Sequence, residues 1–231
     1  TGSGNTSTLY AALKLLLTPE ISLISIEDPV EYRIPGMTQV QVNEKAGLTF
    51  EKGLRALVRQ DPDVVMIGEI RDRETAEIAV HAALTGYLVL SSLHTNDAVS
   101  APARLTDMGI PAYLLSASLS LIISQRLAVK LSEKEKKREI ITKERAEQYF
   151  LPLSFIGKSA CTGTEEGRIG IFEMMEIGDE ERKALHENAP PYVLSELMKK
   201  QGRKTIGETA EDLMEQGVIS AKEAALLHEK F

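Results

Sequence analysis

The first residues able to do chemistry open the chain: Gly2-Ser3-Gly4, followed by Asn5 and Thr6, in the stretch TGSGNTSTLY. A Gly-rich turn that runs into a helix-forming segment aims backbone N–H groups at one point. With the helix N-terminus it makes a cradle for a β-phosphate. The full phosphate-loop pattern reads G-x-x-x-x-G-K-[ST]. Gly4, Asn5 and Thr6 match its end, which puts the first glycine upstream of Thr1 and makes the chain read as a piece of a longer protein. Thr6 carries a hydroxyl placed for Mg²⁺, and Asn5 stands where the pattern has lysine.

Three further clusters have the residue types that polyphosphate chemistry needs. In DVVMIGEIRD (Asp63 to Asp72), apolar residues lead to Gly68 and Glu69. An acid at the carboxyl end of a strand beside a phosphate loop can orient a water or hold Mg²⁺ in line with a γ-phosphate, so Glu69 is the candidate base. In IEDPVEY, the carboxylates of Glu27, Asp28 and Glu31 collect after another apolar run, with Pro29 in the turn. In SSLHTND, His94 and Thr95 also follow an apolar run, where His94 could sense or polarise a γ-phosphate; His81, His186 and His228 read as structural.

The elements that must position these groups alternate between helix and strand. TLYAALKLLL reads as a helix stopped by Pro19, ISLISI as a buried strand and MTQVQV as a half-exposed one. FEKGLRALVRQ is helical, DVVMI strand, RETAEIAVHAALTG a helix closed by Gly86, and YLVLSSL a buried strand. That alternation indicates an α/β fold with a parallel sheet, and it brings the four polar clusters to the carboxyl edge, where such sheets bind ligands. After about residue 97, DAVSAPARLTDMGI and YLLSASLSLIISQRLAVKL read as helices, and the charged run SEKEKKREIITKERAEQYF reads as a solvated helix face. GRIGIFEMMEI (Gly167 to Ile177) reads as one late strand, with helices near 180–187, 191–201, 206–216 and 220–230. A boundary near 130 divides a core (1–130) from a mostly helical C-terminal subdomain (131–231).

Composition sets outer limits. With 231 residues, 43% hydrophobic and 26% charged, the chain should be globular, and its net charge of −7 argues against nucleic acid as a partner. No stretch approaches the roughly 18 apolar residues needed to span a bilayer, and no secretory leader is visible. The lone Cys161 fits a reducing compartment, so the expected location is the cytoplasm.

Taken in order, TGSG-T, ISIEDPVEY, QVQVNEKAGLTF, GLRALVRQDPDVVMIGEIRD-ETAEIAVHAALTG, LVLSSLHTNDA, RLTDMGIPAYLL and QRLAVKL closely resemble the secretion and pilus-assembly ATPases, the GspE/PilB family of type II secretion and type IV pilus systems. The likeness is nearly continuous from Thr1 to about Leu131 and returns at GRIGIFEMMEI. It implies a RecA-like P-loop core that works in a hexameric ring at the inner membrane, using ATP and Mg²⁺ to drive pseudopilus or pilus assembly with platform and docking proteins. It implies nucleotide contacts from Thr1, Gly2, Ser3, Gly4, Asn5, Thr6 and Ser7, and catalytic roles for Glu27, Glu69 and His94. Arg55, Arg59, Arg71, Arg104 and Arg126 become candidates for nucleotide or neighbouring-subunit contacts, since the guanidinium fork pairs phosphates bidentately. AGLTF, GEIRDRETAEIAV and GRIGIFEMMEI look more like the assembly and secretion branch than the retraction branch.

The chain departs from the family pattern in three places. The loop lysine is Asn5, and the first histidine of the histidine box is Tyr87. The two CxxC pairs that hold zinc in many members read Ser132, Glu135, Lys158 and Cys161, so no zinc site is expected. Loss of the ammonium at Asn5 should cost roughly 1.5–3 kcal/mol of binding, about one to two decades of affinity. It should slow hydrolysis more, because a positioned cation acts on charge that moves in the transition state. Two functions stay open: an ATP-hydrolysing motor, and a non-hydrolysing scaffold or docking subunit that keeps the nucleotide fold.

Overall fold

In the computed structural model, residues 2–134 and 136–228 are described. The first half is a parallel sheet with helices on both faces. Helix α1 (Asn5–Leu16) leads to β1 (Leu23–Glu27), then come β2 (Thr38–Gln41), α2 (Phe50–Leu57), β3 (Val64–Ile70), α3 (Arg73–Leu84) and β4 (Leu88–Leu93). All strand pairs in this sheet are parallel, in the order β2-β1-β3-β4. Parallel strands need cover on both faces. Alternation along β1 and β3 supplies it: Ile24, Ile26, Val65 and Ile67 pack with Leu54, Leu57 and Ala79 of α2 and α3. Leu23, Val64 and Met66 pack on Tyr10 and Leu13 of α1.

The second half folds around a long antiparallel ribbon. Helices α4 (Ala101–Asp107) and α5 (Ala112–Ser118) precede β5 (Leu121–Leu131), which pairs with β8 (Glu165–Glu176) from Leu121↔Glu176 to Leu131↔Glu165. Between them, β6 (Lys137–Ile140), α6 (Lys143–Gln148) and β7 (Ser159–Thr162) form a small excursion. The chain then runs through α7 (Asp179–His186), α8 (Pro191–Lys200), α9 (Ile206–Glu215) and α10 (Ala221–His228). Phe155, Ile171, Ile206, Met214 and Ala224 form one core under the ribbon, and Met175, Ile177, Leu194 and Met198 another. Glu173 of β8 is buried between these regions and accepts hydrogen bonds from the backbone N–H of Ala98 (2.8 Å) and of Ile206 (3.2 Å). Burial pushes its carboxyl above the ordinary value.

The strand over YLVLSSL, expected to be buried, forms as the half-exposed β4 at the end of the sheet order, and two further segments differ from the sequence-based expectation. Residues 121–131, read as part of a helical run, are β5. Their β-branched Ile122, Ile123 and Val129 favour a strand, and the partner that decides the matter begins only at Glu165. The charged run after Leu131, read as one helix face, contains β6 and only the short α6. The strand over Gly167 to Ile177 forms as β8, and the last helix is described to His228. The boundary suggested near residue 130 falls inside β5.

Helix α2 approaches β1 so closely that a Cβ on Gly53 would lie 2.2 Å from Ile26 Cδ1. Alanine in a helix interior gains about 1 kcal/mol over glycine, and overpacking a core costs about 1–3 kcal/mol. Gly53→Ala should therefore be net destabilising in urea unfolding. In the background of Ile26→Val, which removes Cδ1, the loss should shrink or reverse. An equal loss in both backgrounds would show that this contact is not the cause.

Candidate functional site

The loop before α1 has the backbone shape that its glycines permit. Gly2 (φ 86°) and Gly4 (φ 87°) lie in the left-handed region, and Gly4 caps the 12-residue α1 without a side-chain hydrogen bond. The free N–H groups of the first turn point out past the N-terminus of α1, where Asn5, Thr6 and Ser7 are exposed. Across the loop lies Gln125 of β5. Its Nε2 donates to the Ser3 carbonyl (2.9 Å), and its Oε1 accepts from the Thr8 hydroxyl (2.6 Å).

Glu27, the last residue of β1, is buried but well supplied with donors. Its carboxylate accepts hydrogen bonds from the Tyr10 hydroxyl, the Ser25 hydroxyl and Gln39 Nε2 (3.2 Å). Tyr10 belongs to α1, so a side chain in the loop's own helix fixes an acid of the sheet edge. Burial, reinforced by the carboxylate beside it, pushes the Tyr10 hydroxyl up to about 12. Asp28 and Glu31 sit exposed in the turn that follows.

Glu69 lies near the end of β3, where the register with β4 shifts between Ile67 and Ile70. The Ser92 hydroxyl donates to the Gly68 carbonyl (2.6 Å) at that shift. A Cβ on Gly68 would stand 3.4 Å from the Glu27 backbone, an ordinary packing distance that puts the two acid-bearing strand ends side by side. Glu69 pairs with Arg71 through Oε1, and its Oε2 lies 3.1 Å from His94 Nε2. Arg71 also reaches Asp28 at 3.8 Å. The hydrogen bond from Arg71 is the largest influence on Glu69 and holds its carboxyl below the ordinary range, while Glu69 raises Arg71.

These groups line one open cleft of about 1330 Å³ at the carboxyl edge of the sheet. Gly2 to Ser7, Glu27, Asp28, Glu31, Glu69, Arg71, His94, Thr95 and Arg126 all border it. Thr1 lies outside the described residues. Arg55 pairs with Glu51 at 3.1 Å, Arg59 donates to the Arg55 carbonyl, and Arg104 is exposed on α4; none of these three borders the cleft. Tyr87 precedes β4 at the far end of the sheet, with its hydroxyl 3.4 Å from the Val58 carbonyl. At the family's cysteine positions, Ser132 bonds Glu166, Lys158 pairs with Glu211 and Glu215, Cys161 is buried beside Gly217, and Glu135 lies outside the described residues.

Several residues of the site were not read from the sequence. Gln125 belongs to β5, and the polar triplet Ser124-Gln125-Arg126 interrupting an apolar run was the available signal. Tyr10 and Gln39 were indistinguishable from ordinary helix and strand residues. Glu223, Leu226 and Leu227 of α10 close one side of the cleft, far away in sequence. The donor set fits a Mg²⁺-polyphosphate: backbone N–H groups and hydroxyls at the loop, carboxylates opposite, and guanidinium groups from Arg71 and Arg126.

Comparison with known proteins gives a consistent picture. The family described as Type II/IV secretion system protein matches residues 1–226. The putative type II secretion system protein E of Escherichia coli is 46% identical over 214 residues, covering 89% of this chain and 43% of that protein. The type IV pilus assembly ATPase PilB of Thermus thermophilus is 42% identical over 233 residues, covering 96% of this chain and 26% of PilB. The crystal structure of the pilus retraction motor PilT with bound ADP superposes with a TM-score of 0.74 at 29% identity, over 98% of this chain and 58% of that one. The chain spans less than half the length of these curated relatives. Its core is the RecA-like parallel α/β fold expected from the sequence.

Because its folded-state pKa is depressed, Glu69 stabilises the fold above the ordinary carboxyl value of 4.5, and that contribution is lost as pH falls through the depressed value. Titration of the Glu69 carboxyl carbon by NMR should give a midpoint below 4.5. Arg71→Ala should move it upward. A midpoint that stays put in the variant would show that Arg71 does not control this carboxylate.

Proposed function

Because the chain belongs to the Type II/IV secretion system protein family, we propose that it binds Mg²⁺-ATP in the sheet-edge cleft and serves as the nucleotide-driven part of a secretion or pilus-assembly motor. The observation that carries this reading is the meeting of the Gly2–Ser7 loop with Glu27, Glu69 and His94 on one cleft. Bound there, ATP supplies a γ-phosphoryl group whose transfer to water releases the energy for mechanical work.

The chain's own residues divide the remaining tasks. Loop and helix N–H groups bind phosphate oxygens, and the Thr6 hydroxyl offers a ligand to Mg²⁺. Glu27, immobilised by Tyr10, Ser25 and Gln39, holds water or Mg²⁺ in a fixed direction. Glu69, kept ionised by Arg71, accepts a hydrogen bond from a water and steers its lone pair. His94, 3.1 Å from Glu69, sits where it can report the charge near that water. Arg71 and Arg126 supply cationic charge at the cleft, and the exposed Arg55, Arg59 and Arg104 are available to a neighbouring copy in a hexameric ring.

The partners proposed are a second copy of the chain and the platform and docking proteins of the cognate system, at the cytoplasmic side of the inner membrane. No helix among the described residues is long and apolar enough to cross a membrane. Residues 1–130 would form the nucleotide-handling core and 131–231 the C-terminal subdomain, without a zinc site.

Asn5 favours one further reading, a scaffold that keeps nucleotide affinity and has lost turnover. Its neutral amide cannot deliver the lysine charge to the phosphates, although the loop's backbone shape does not depend on it. Asn5→Lys should tighten ATP binding by about 10- to 100-fold in calorimetry with Mg²⁺. It should raise turnover by more than it raises affinity. Equal and substantial turnover in both chains, tested in a ring-forming length, would overturn the role given to Asn5. Absence of binding by both would overturn the nucleotide reading itself.

A further inference from the structure

Gln125 is 6% exposed, and its amide makes two hydrogen bonds to the phosphate-loop region. The Ser3 carbonyl can only accept, so the NH₂ of Gln125 must face it, and Oε1 must face the Thr8 hydroxyl. The side chain is thereby locked in one orientation. A Cβ on Gly4 would stand 2.7 Å from Gln125 Nε2, so the loop comes this near only because residue 4 is glycine.

This contact sets the direction of one peptide group. In a planar trans peptide the carbonyl of residue i and the N–H of residue i+1 point in opposite directions. With the Ser3 carbonyl turned onto Gln125, the Gly4 N–H points away from Gln125. Ser3 and Gly4 border the cleft, and Gln125 does not. We propose that Gln125 is a positioning residue: by holding the Ser3 carbonyl inward, it turns the Gly4 N–H toward the cleft as a phosphate donor before any ligand arrives. This rests on the nucleotide reading of the cleft.

The neighbours of Gln125 extend the arrangement. Arg126 donates to the Gln125 carbonyl (2.9 Å) and to the Asn96 carbonyl (2.7 Å), and the Ser124 hydroxyl also reaches Asn96 (3.3 Å). Three consecutive residues of β5 thus grip both the phosphate loop and the segment after His94. The cleft walls are registered against each other through β5. With the lysine replaced by Asn5, preset backbone donors carry a larger share of phosphate recognition.

The test uses the ¹⁵N-labelled chain, Gln125→Met, which has similar length and no donor, and Gln125→Glu, which keeps the acceptor for Thr8. Without ligand, one Gln125 side-chain N–H of the unaltered chain should exchange at least tenfold more slowly than those of exposed glutamines. Free exchange of both overturns the clamp. With Mg²⁺-ADP, the Gly4 amide resonance should shift strongly in the unaltered chain. In Gln125→Met that shift should collapse while the Thr6 amide still responds, and ADP affinity should fall about tenfold. An unchanged Gly4 response, or equal loss of all loop responses, overturns the positioning role. Loss of affinity in Gln125→Glu alone, spared in Gln125→Met, would assign the effect to added charge and overturn it too. If the unaltered chain gives no ADP response at all, the nucleotide reading fails, and the exchange measurement still decides whether the clamp exists.

Discussion

Parallel strands cannot be joined by tight turns, and that constraint governs the rest of the molecule. Each strand of the first sheet must return through a crossover before the next begins, so every carboxyl end emerges at the same edge. Glu27, Glu69 and His94 come from three separate segments, and each meets the others only because its strand points the same way. The apolar residues on the two faces of β1 and β3 do the positioning: they seat the sheet between α1 and the α2–α3 layer, and the acids Glu27 and Glu69 stand at or near the ends of those strands.

A second constraint is the burial of charge and polar groups close to the cleft. Glu27 is tolerated inside because Tyr10, Ser25 and Gln39 satisfy it, and a buried carboxylate stripped of such donors would be costly. Gln125 is tolerated because the Ser3 carbonyl and Thr8 hydroxyl use both ends of its amide. In each case the hydrogen bonds that permit burial also fix direction, so the geometry of the site is a by-product of satisfying the interior.

Much of this was legible in the sequence, for reasons that are themselves physical. The strand-helix alternation from Thr8 to Leu93 depends on local periodicity, and the glycines and acids at each strand end are local signals too. The ribbon was not legible, because the apolar residues of 121–131 suit either a strand or a helix and the deciding partner, β8, comes much later in the chain. That error hid Gln125, whose role exists only if residue 125 lies on a strand beside the loop. The part played by α10 in closing the cleft was hidden likewise, since Glu223, Leu226 and Leu227 look like an ordinary amphipathic helix. Tyr87, conspicuous in the sequence as a departure, lies at the opposite end of β4 from the cleft.

The burial of Glu173 has a mechanical side. One carboxylate is shared between the backbone of Ala98, just beyond the His94 segment, and that of Ile206, the first residue of α9. Drawing those two backbones apart would leave a buried acid without one of its donors, in a place that disfavours its charge. The segment after His94 and the start of α9 are therefore tied through one side chain, and α10, which packs on α9, supplies a wall of the same cleft, so the far end of the chain is bound into the site from two directions.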